Sequence, residues 1–169
     1  SAASDVYKRQ DVLTVTLAVD DVADWQVHSI TFEGSGTGHE QNDIEAVELY
    51  LGDQLLSSGA YAADDGQITL AINRQIPAGA SLDLRLVYRF RDPGVTPWPV
   101  GTYGVETRAA WVSAEPDDPS FEPYDKGPEA PVGGGPHLIA AVQNTQTFQG
   151  FATIQSAIDA DDTQDGHSI

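Results

Sequence analysis

The stretch Ser81-Leu82-Asp83-Leu84-Arg85-Leu86-Val87-Tyr88-Arg89-Phe90 decides how this chain reads. Leu82, Leu84, Leu86, Tyr88 and Phe90 fall on one side of an extended backbone, and Asp83, Arg85 and Arg89 on the other. Side chains of a strand alternate between faces, so a period of two with one apolar and one polar face marks a half-buried β-strand. A strand with one wet face belongs to an antiparallel sheet rather than a parallel α/β one. The same period recurs at Leu13, Val15, Leu17 and Val19; at His28, Ile30 and Phe32; and at Val47, Leu49 and Leu51. It returns at Ile68, Leu70 and Ile72, and in a last run through Tyr103, Val105, Thr107, Ala109 and Trp111. Six strands are predicted over 11–114, with a short seventh at Leu55-Leu56 or within 59–62. Gly, Asp, Asn and Pro clusters punctuate them at the spacing of an antiparallel sandwich. The expected shared core is Leu13, Val15, Ile30, Phe32, Val47, Leu49, Ile68, Leu70, Leu84, Leu86, Val105 and Trp111.

Composition narrows the function. The 169 residues are 40% hydrophobic and 20% charged, enough apolar material for a core. Lys and Arg number 8 against 26 Asp and Glu, a formal charge of −18. A nucleic-acid partner is excluded on this balance, since binding phosphates needs basic surface to displace counterions. Anionic lipid is disfavoured for the same reason. No apolar run approaches the roughly 20 residues of a membrane span. With no Cys, disulfides, thiolate nucleophiles and Cys-ligated zinc are all removed.

The flanks read differently. Residues 1–10, SAASDVYKRQ, resemble a translated sequencing adapter and are expected to be a tail that makes few tertiary contacts. No Met occurs, and a metagenomic fragment is expected. Residues 115–136 hold six prolines and four glycines in 22 residues. They are read as an extended linker with a flexible Gly133-Gly134-Gly135 end. Beyond it, His137–Val142 is a short apolar run of strand type. Thr153 is placed to cap a short helix with Ile154, Ala157 and Ile158 on one face.

Residues 151–169, FATIQSAIDADDTQDGHSI, resemble the opening segment of right-handed parallel β-helix proteins of the pectate-lyase-like superfamily. In that family a threonine-capped helix covers the solenoid end and an Asp-Gly turn leads into the first rung. The first domain resembles the immunoglobulin-like sandwich modules of large bacterial surface proteins. The residues that carry this are Gly34-Ser35-Gly36-Thr37-Gly38, Ala46–Tyr50, and Ile76-Pro77-Ala78-Gly79 before the strand 81–90. The resemblances imply a mainly β chain. It would comprise a 1–10 tail, an immunoglobulin-like antiparallel β-sandwich over 11–114, a linker over 115–136, and a truncated β-helix start with its cap helix over 137–169. Related sandwich modules carry an Asp/Asn-rich insertion after the Leu-Tyr strand. Here Leu51-Gly52-Asp53-Gln54 replaces it, which puts a calcium site from that family in doubt.

No catalytic residues are assigned. Gly34, Gly36 and Gly38 are followed by His39-Glu40-Gln41-Asn42-Asp43, an acidic inter-strand stretch and not the helix start a phosphate loop needs. His28, His39, His137 and His167 lie in no metal-ligand spacing, and His28 falls on an apolar face as a core-edge residue. The pairs Asp20-Asp21, Asp64-Asp65, Asp117-Asp118 and Asp161-Asp162 read as turn and solvation chemistry. None forms the spaced D-x-[DN]-x-[DN]-G loop, so no metal site is assigned, and Ca2+ is the single cofactor these acids leave open. Trp98, Tyr50, Tyr61 and Tyr103 are the candidates for stacking on sugar, because aromatic faces bury apolar sugar faces. Trp98, between two prolines, is the best placed. The expected function is a non-catalytic spacer or adhesion module of a large secreted or cell-surface bacterial protein, whose missing β-helix would bind or degrade polysaccharide. The alternative is a carbohydrate-binding module of a polysaccharide lyase or hydrolase. The expected partners are extracellular polysaccharide or cell-surface components.

Overall fold

The structure is a computed structural model and describes residues 8–92, 101–121, 132–139, 142–143 and 150–151. The elements in chain order are β1 (Arg9–Ala18), β2 (Trp25–Gly36), a helical turn α1 (Glu40–Asp43), β3 (Ile44–Leu51), β4 (Gln54–Gly59) and β5 (Gln67–Ile76). After these come β6 (Ser81–Phe90), β7 (Gly101–Thr107), β8 (Val112–Pro116), β9 (Val132–Ile139), β10 (Val142–Gln143) and β11 (Gly150–Phe151). The described chain is thus mainly β, and every strand pairing in it is antiparallel. One sheet has the order β1-β6-β3-β4. A second runs β5-β2-β7-β9, with β8 also paired to β2. β10 and β11 pair with each other.

The two larger sheets share one buried core, an arrangement compatible with a β-sandwich. Val47, Leu49, Leu84, Leu86 and Tyr88 face it from the first sheet, and Ile30, Phe32, Ile68, Leu70, Ile72 and Val105 from the second. Each such side chain removed from water contributes about 1.5–3 kcal/mol. The alternation Leu84, Leu86, Tyr88, Phe90 inward is as the sequence reads it. Val87, on the outer face, is buried too, at 1% exposed. It lies opposite Glu48 on one side and Asp11 on the other. Glu48 is itself buried, accepting from Tyr50 Oη and ion-paired to Arg9 at 3.1 Å.

Three departures from simple alternation have local causes. In β1 the register slips between Asp11 and Leu13, so Val12 and Val15 are the buried residues and Leu13 only packs partly. A bulge adds one residue to a strand and shifts which side chains point inward. In β2 a second slip between Val27 and Ser29 turns His28 away from the core. His28 is not a core-edge residue; its Nε2 lies 3.1 Å from Glu115 Oε1. The run expected to carry Trp111 inward is broken. β2 is long enough to pair with β7 along one half and β8 along the other. Between Glu106, opposite Glu33, and Val112, opposite Ile30, the surplus chain loops out as the 3-10 turn Ala109–Trp111. Trp111 ends half-buried, with the Arg108 guanidinium 5.2 Å from its ring centroid.

Two segments read as tail and linker carry sheet. Arg9 and Gln10 belong to β1, opposite Arg89 and Tyr88. Gly133, Gly134 and Gly135 lie in β9, with Gly133 opposite Glu106 and Gly134 opposite Val105. Backbone ladders need only N–H and C=O groups, so an edge strand can recruit residues whose side chains do not announce one. The 153–160 helix falls outside the described residues. Among the described residues, no helix is long and apolar enough to cross a membrane.

Candidate functional site

The most chemically distinctive region lies at the end of the sheets where β2 finishes and β3 begins. Four aromatic rings step across it. Tyr61 meets Tyr88 edge-on at 5.9 Å, Tyr88 meets Phe90 at 6.1 Å, and Phe90 meets Tyr103 at 4.9 Å. The Tyr61 and Tyr88 hydroxyls share a buried hydrogen bond of 2.6 Å. Burial pushes both phenols well above the ordinary tyrosine value. Tyr103 is raised as well, first by burial and then by donating to Asp43 Oδ2 at 2.5 Å. Asp43 Oδ2 also accepts the His39 N–H at 2.9 Å, which closes the helical turn α1 on itself.

That turn delivers Glu40 into the interior. Glu40 is 0% exposed, lying against Gly34, where an added Cβ would sit 2.9 Å from Glu40 Cγ and 3.3 Å from Tyr61 Cζ. Its Oε2 accepts the Asp65 N–H at 2.9 Å, and its own N–H donates to Asp64 Oδ1 at 3.3 Å. Its Oε1 meets no N–H donor, and its carboxyl is in hydrogen-bonding contact with that of Asp64. Gln41 Nε2 donates to Ala62 O at 2.8 Å and ties the same turn to the β4–β5 loop. Asp65 reaches its position with φ at +48°, a conformation seldom taken by a residue with a side chain. Burial holds the Glu40 carboxyl above its usual range. Contact with Glu40 holds exposed Asp64 below its own. The nearby base is His39, with Nδ1 3.8 Å from Asp64 Oδ1, too long for a hydrogen bond. One carboxylate oxygen from each of Glu40, Asp64 and Asp65 falls in a group spanning at most 4.8 Å.

Of the sugar-stacking candidates, Tyr61 and Tyr103 belong to the ring cluster and Tyr50 lies apart from it. Tyr61 and Tyr103 are 3% and 4% exposed, with their rings in the core, so neither offers a face to solvent. Tyr50 is half-buried on the outer face of the first sheet. The guanidinium groups of Arg85 and Arg9 lie 4.9 and 5.8 Å from its ring centroid, and its hydroxyl accepts from Arg9 at 2.9 Å. Trp98 lies outside the described residues. Glu40, which this end is built around, sits in a stretch that reads from sequence as a plain inter-strand loop. The available signal was the pairing of that stretch with Asp64-Asp65, two acidic runs 24 residues apart that only the fold joins. No protein-family model matches the chain, and neither a curated protein nor a solved structure matches it.

Proposed function

We propose that this chain is a non-catalytic adhesion or spacer module of a large secreted or cell-surface bacterial protein. In this reading it is an immunoglobulin-like sandwich followed by the start of a right-handed parallel β-helix. The observation that supports it best is the course of the chain. Arg9 opens β1 opposite Arg89, and Ile139 closes β9 opposite Gly101. Both positions lie at the Glu40 end, where Ile44 meets Phe90 and Gly36 meets Tyr103. The opposite end presents the exposed acids Asp20, Asp24 and Asp117. An exposed acidic end of this kind suits a module of a cell surface.

The carbohydrate-binding alternative loses Tyr61 and Tyr103 as contacts and rests on Tyr50 and Trp98. Affinity electrophoresis through pectin, alginate and xylan, with assay of released sugars, tests both readings. The expected outcome is neither retardation nor product. Retardation abolished by Trp98→Ala or Tyr50→Ala would establish the binding module instead, and product release would overturn the non-catalytic assignment.

A further inference from the structure

We propose that Glu40 and Asp64 share a single proton in the folded protein, which makes the joint between α1 and the loop before β5 a latch that loosens when that proton is lost. The joint is built from four contacts. Gln41 Nε2 donates to Ala62 O, and the Gly34 N–H donates to Gly66 O. Both of these join neutral groups and do not titrate. The Glu40 N–H donates to Asp64 Oδ1 at 3.3 Å, and the Asp65 N–H donates to Glu40 Oε2 at 2.9 Å. These two run through carboxyl groups. They bring the wholly buried carboxyl of Glu40 against that of Asp64, which is exposed.

Two carboxyl groups in hydrogen-bonding contact hold one proton between them, because two ionised ones repel and offer no donor. Solvent decides where the proton sits. Asp64 keeps water around its charge, whereas an ionised Glu40 would be a buried anion beneath the tyrosine layer. An O–H on Glu40 satisfies both groups at once, Glu40 as donor and Asp64 as acceptor. The surroundings offer Glu40 no cation. On its own turn, Asp43 is bonded to Tyr103 and to the His39 N–H, and His39 Nδ1 stands 3.8 Å from Asp64 Oδ1. From β2 comes Glu33, which accepts from Gln67; from the loop before β5 come Tyr61 and Asp65; from β6 comes Tyr88, bonded to Tyr61. Among the described residues, no Lys or Arg forms an ion pair with Glu40 or Asp64. A charged His39 favours ionised Asp64 and so leaves the proton on Glu40. When Glu40 ionises, the two charges part, and exposed Asp64 is the one that can turn into water. The Glu40 N–H then loses its acceptor and α1 is released from the loop on this side.

The test uses the intact chain. Urea unfolding is followed from about pH 4 to about pH 9 in the wild type and in Glu40→Gln, whose amide keeps a donor toward Asp64 and cannot ionise. The unfolded chain gives up the Glu40 proton first. The folding constant of the wild type should therefore fall against that of Glu40→Gln by about tenfold per pH unit above the ordinary 4.5, until Glu40 ionises in the folded protein too. Asp64→Asn should narrow that window, since the charge repelling an ionised Glu40 is gone. Asp117→Asn, at the far end, should leave it unchanged. Carbon-detected NMR reads the pair without using stability: the Glu40 carboxyl should titrate well above 4.5 and move down in Asp64→Asn. Should Glu40→Gln fail to fold, sequential assignment identifies the Glu40 resonance and this titration decides alone. A difference between wild type and Glu40→Gln that stays flat from about pH 5 to about pH 8 overturns the proposal. So does a Glu40 carboxyl that titrates at or below its ordinary value.

Discussion

The two ends of this β-unit are built from the same acidic vocabulary and use it in opposite ways. At the β1–β2 and β5–β6 turns, Asp20 Oδ1 accepts the Val22 N–H, Asp24 accepts the Ala78 N–H, and Asp117 N–H donates back to Asp24 O. The Asp20 and Asp24 carboxylates stay in water and satisfy backbone donors, and that of Asp117 accepts from Gln75 Nε2. At the far end Glu40 is carried into the core, its Oε2 bonded to the Asp65 N–H and its carboxyl held against that of Asp64. The difference teaches that an acid's neighbours in sequence say little about its energetic role. The role is set by whether the chain leaves it at the surface or drives it under a tyrosine layer.

The sharpest way to break that contrast is steric. A Cβ at Gly38 would overlap the ring of Tyr103, which is held between Phe90 and Asp43 and cannot swing aside. Gly38→Ala is expected to cost about 2–3 kcal/mol in urea denaturation. Gly79 at the other end has φ +75°, and an added Cβ there would meet only Asp21 Cβ, at an ordinary 4.0 Å. Gly79→Ala should therefore cost only the backbone term, about 1–2 kcal/mol. Equal effects would mean that the Glu40 end is no more rigidly packed than its opposite.

Alkaline pH should separate the ends next. Tyr61, Tyr88 and Tyr103 all have folded-state values raised above the ordinary 10.0. The unfolded chain ionises first, so their contribution is intact below pH 10 and is lost as pH rises beyond it. Stability should fall by about 1.4 kcal/mol per pH unit for each such tyrosine. Tyr61→Phe with Tyr88→Phe should flatten the fall, as read by urea midpoints against pH.

Removing the Asp24 carboxylate strands the Ala78 N–H at an exposed turn. Asp24→Ala should cost about 1 kcal/mol in urea denaturation. A cost near zero would mean that water replaces the carboxylate at the Ala78 N–H without loss. The smallest effect belongs to Asp118, whose carboxyl is held below its usual range by the Ser120 N–H. Its contribution is present at neutral pH and lost as pH falls through and below the ordinary aspartate range. Asp118→Asn should abolish that slight acid-side slope in the same pH series.

Much of the fold was legible because a strand's two faces meet different solvents. Leu84, Leu86, Val47, Leu49, Ile30 and Phe32 announce their burial by spacing alone, and all are core. The pattern failed where a strand gains a residue, as at Val12 and His28, because a bulge resets the faces without marking itself in composition. It failed at Trp111 because the length of β2 dictates where β7 must break. It failed at Gly133–Gly135 because an edge ladder asks nothing of side chains. Of the candidate site, Tyr88, Phe90 and Tyr103 are legible from the apolar sets of their strands; Tyr61, read as a sugar-contact candidate, and His39–Asp43, read as an inter-strand loop, are not.

By itself the sequence determined that the chain is mainly β, antiparallel, strongly acidic, and free of thiol chemistry. These follow from local alternation and from counts, which need no partner. Only the tertiary structure decided which acids are buried, which tyrosines join, and that residues 40 and 64–65 share one spot. Those facts depend on contacts between segments far apart in the chain. Sheet order and register fix such contacts, and neither can be read from the residues of a single strand.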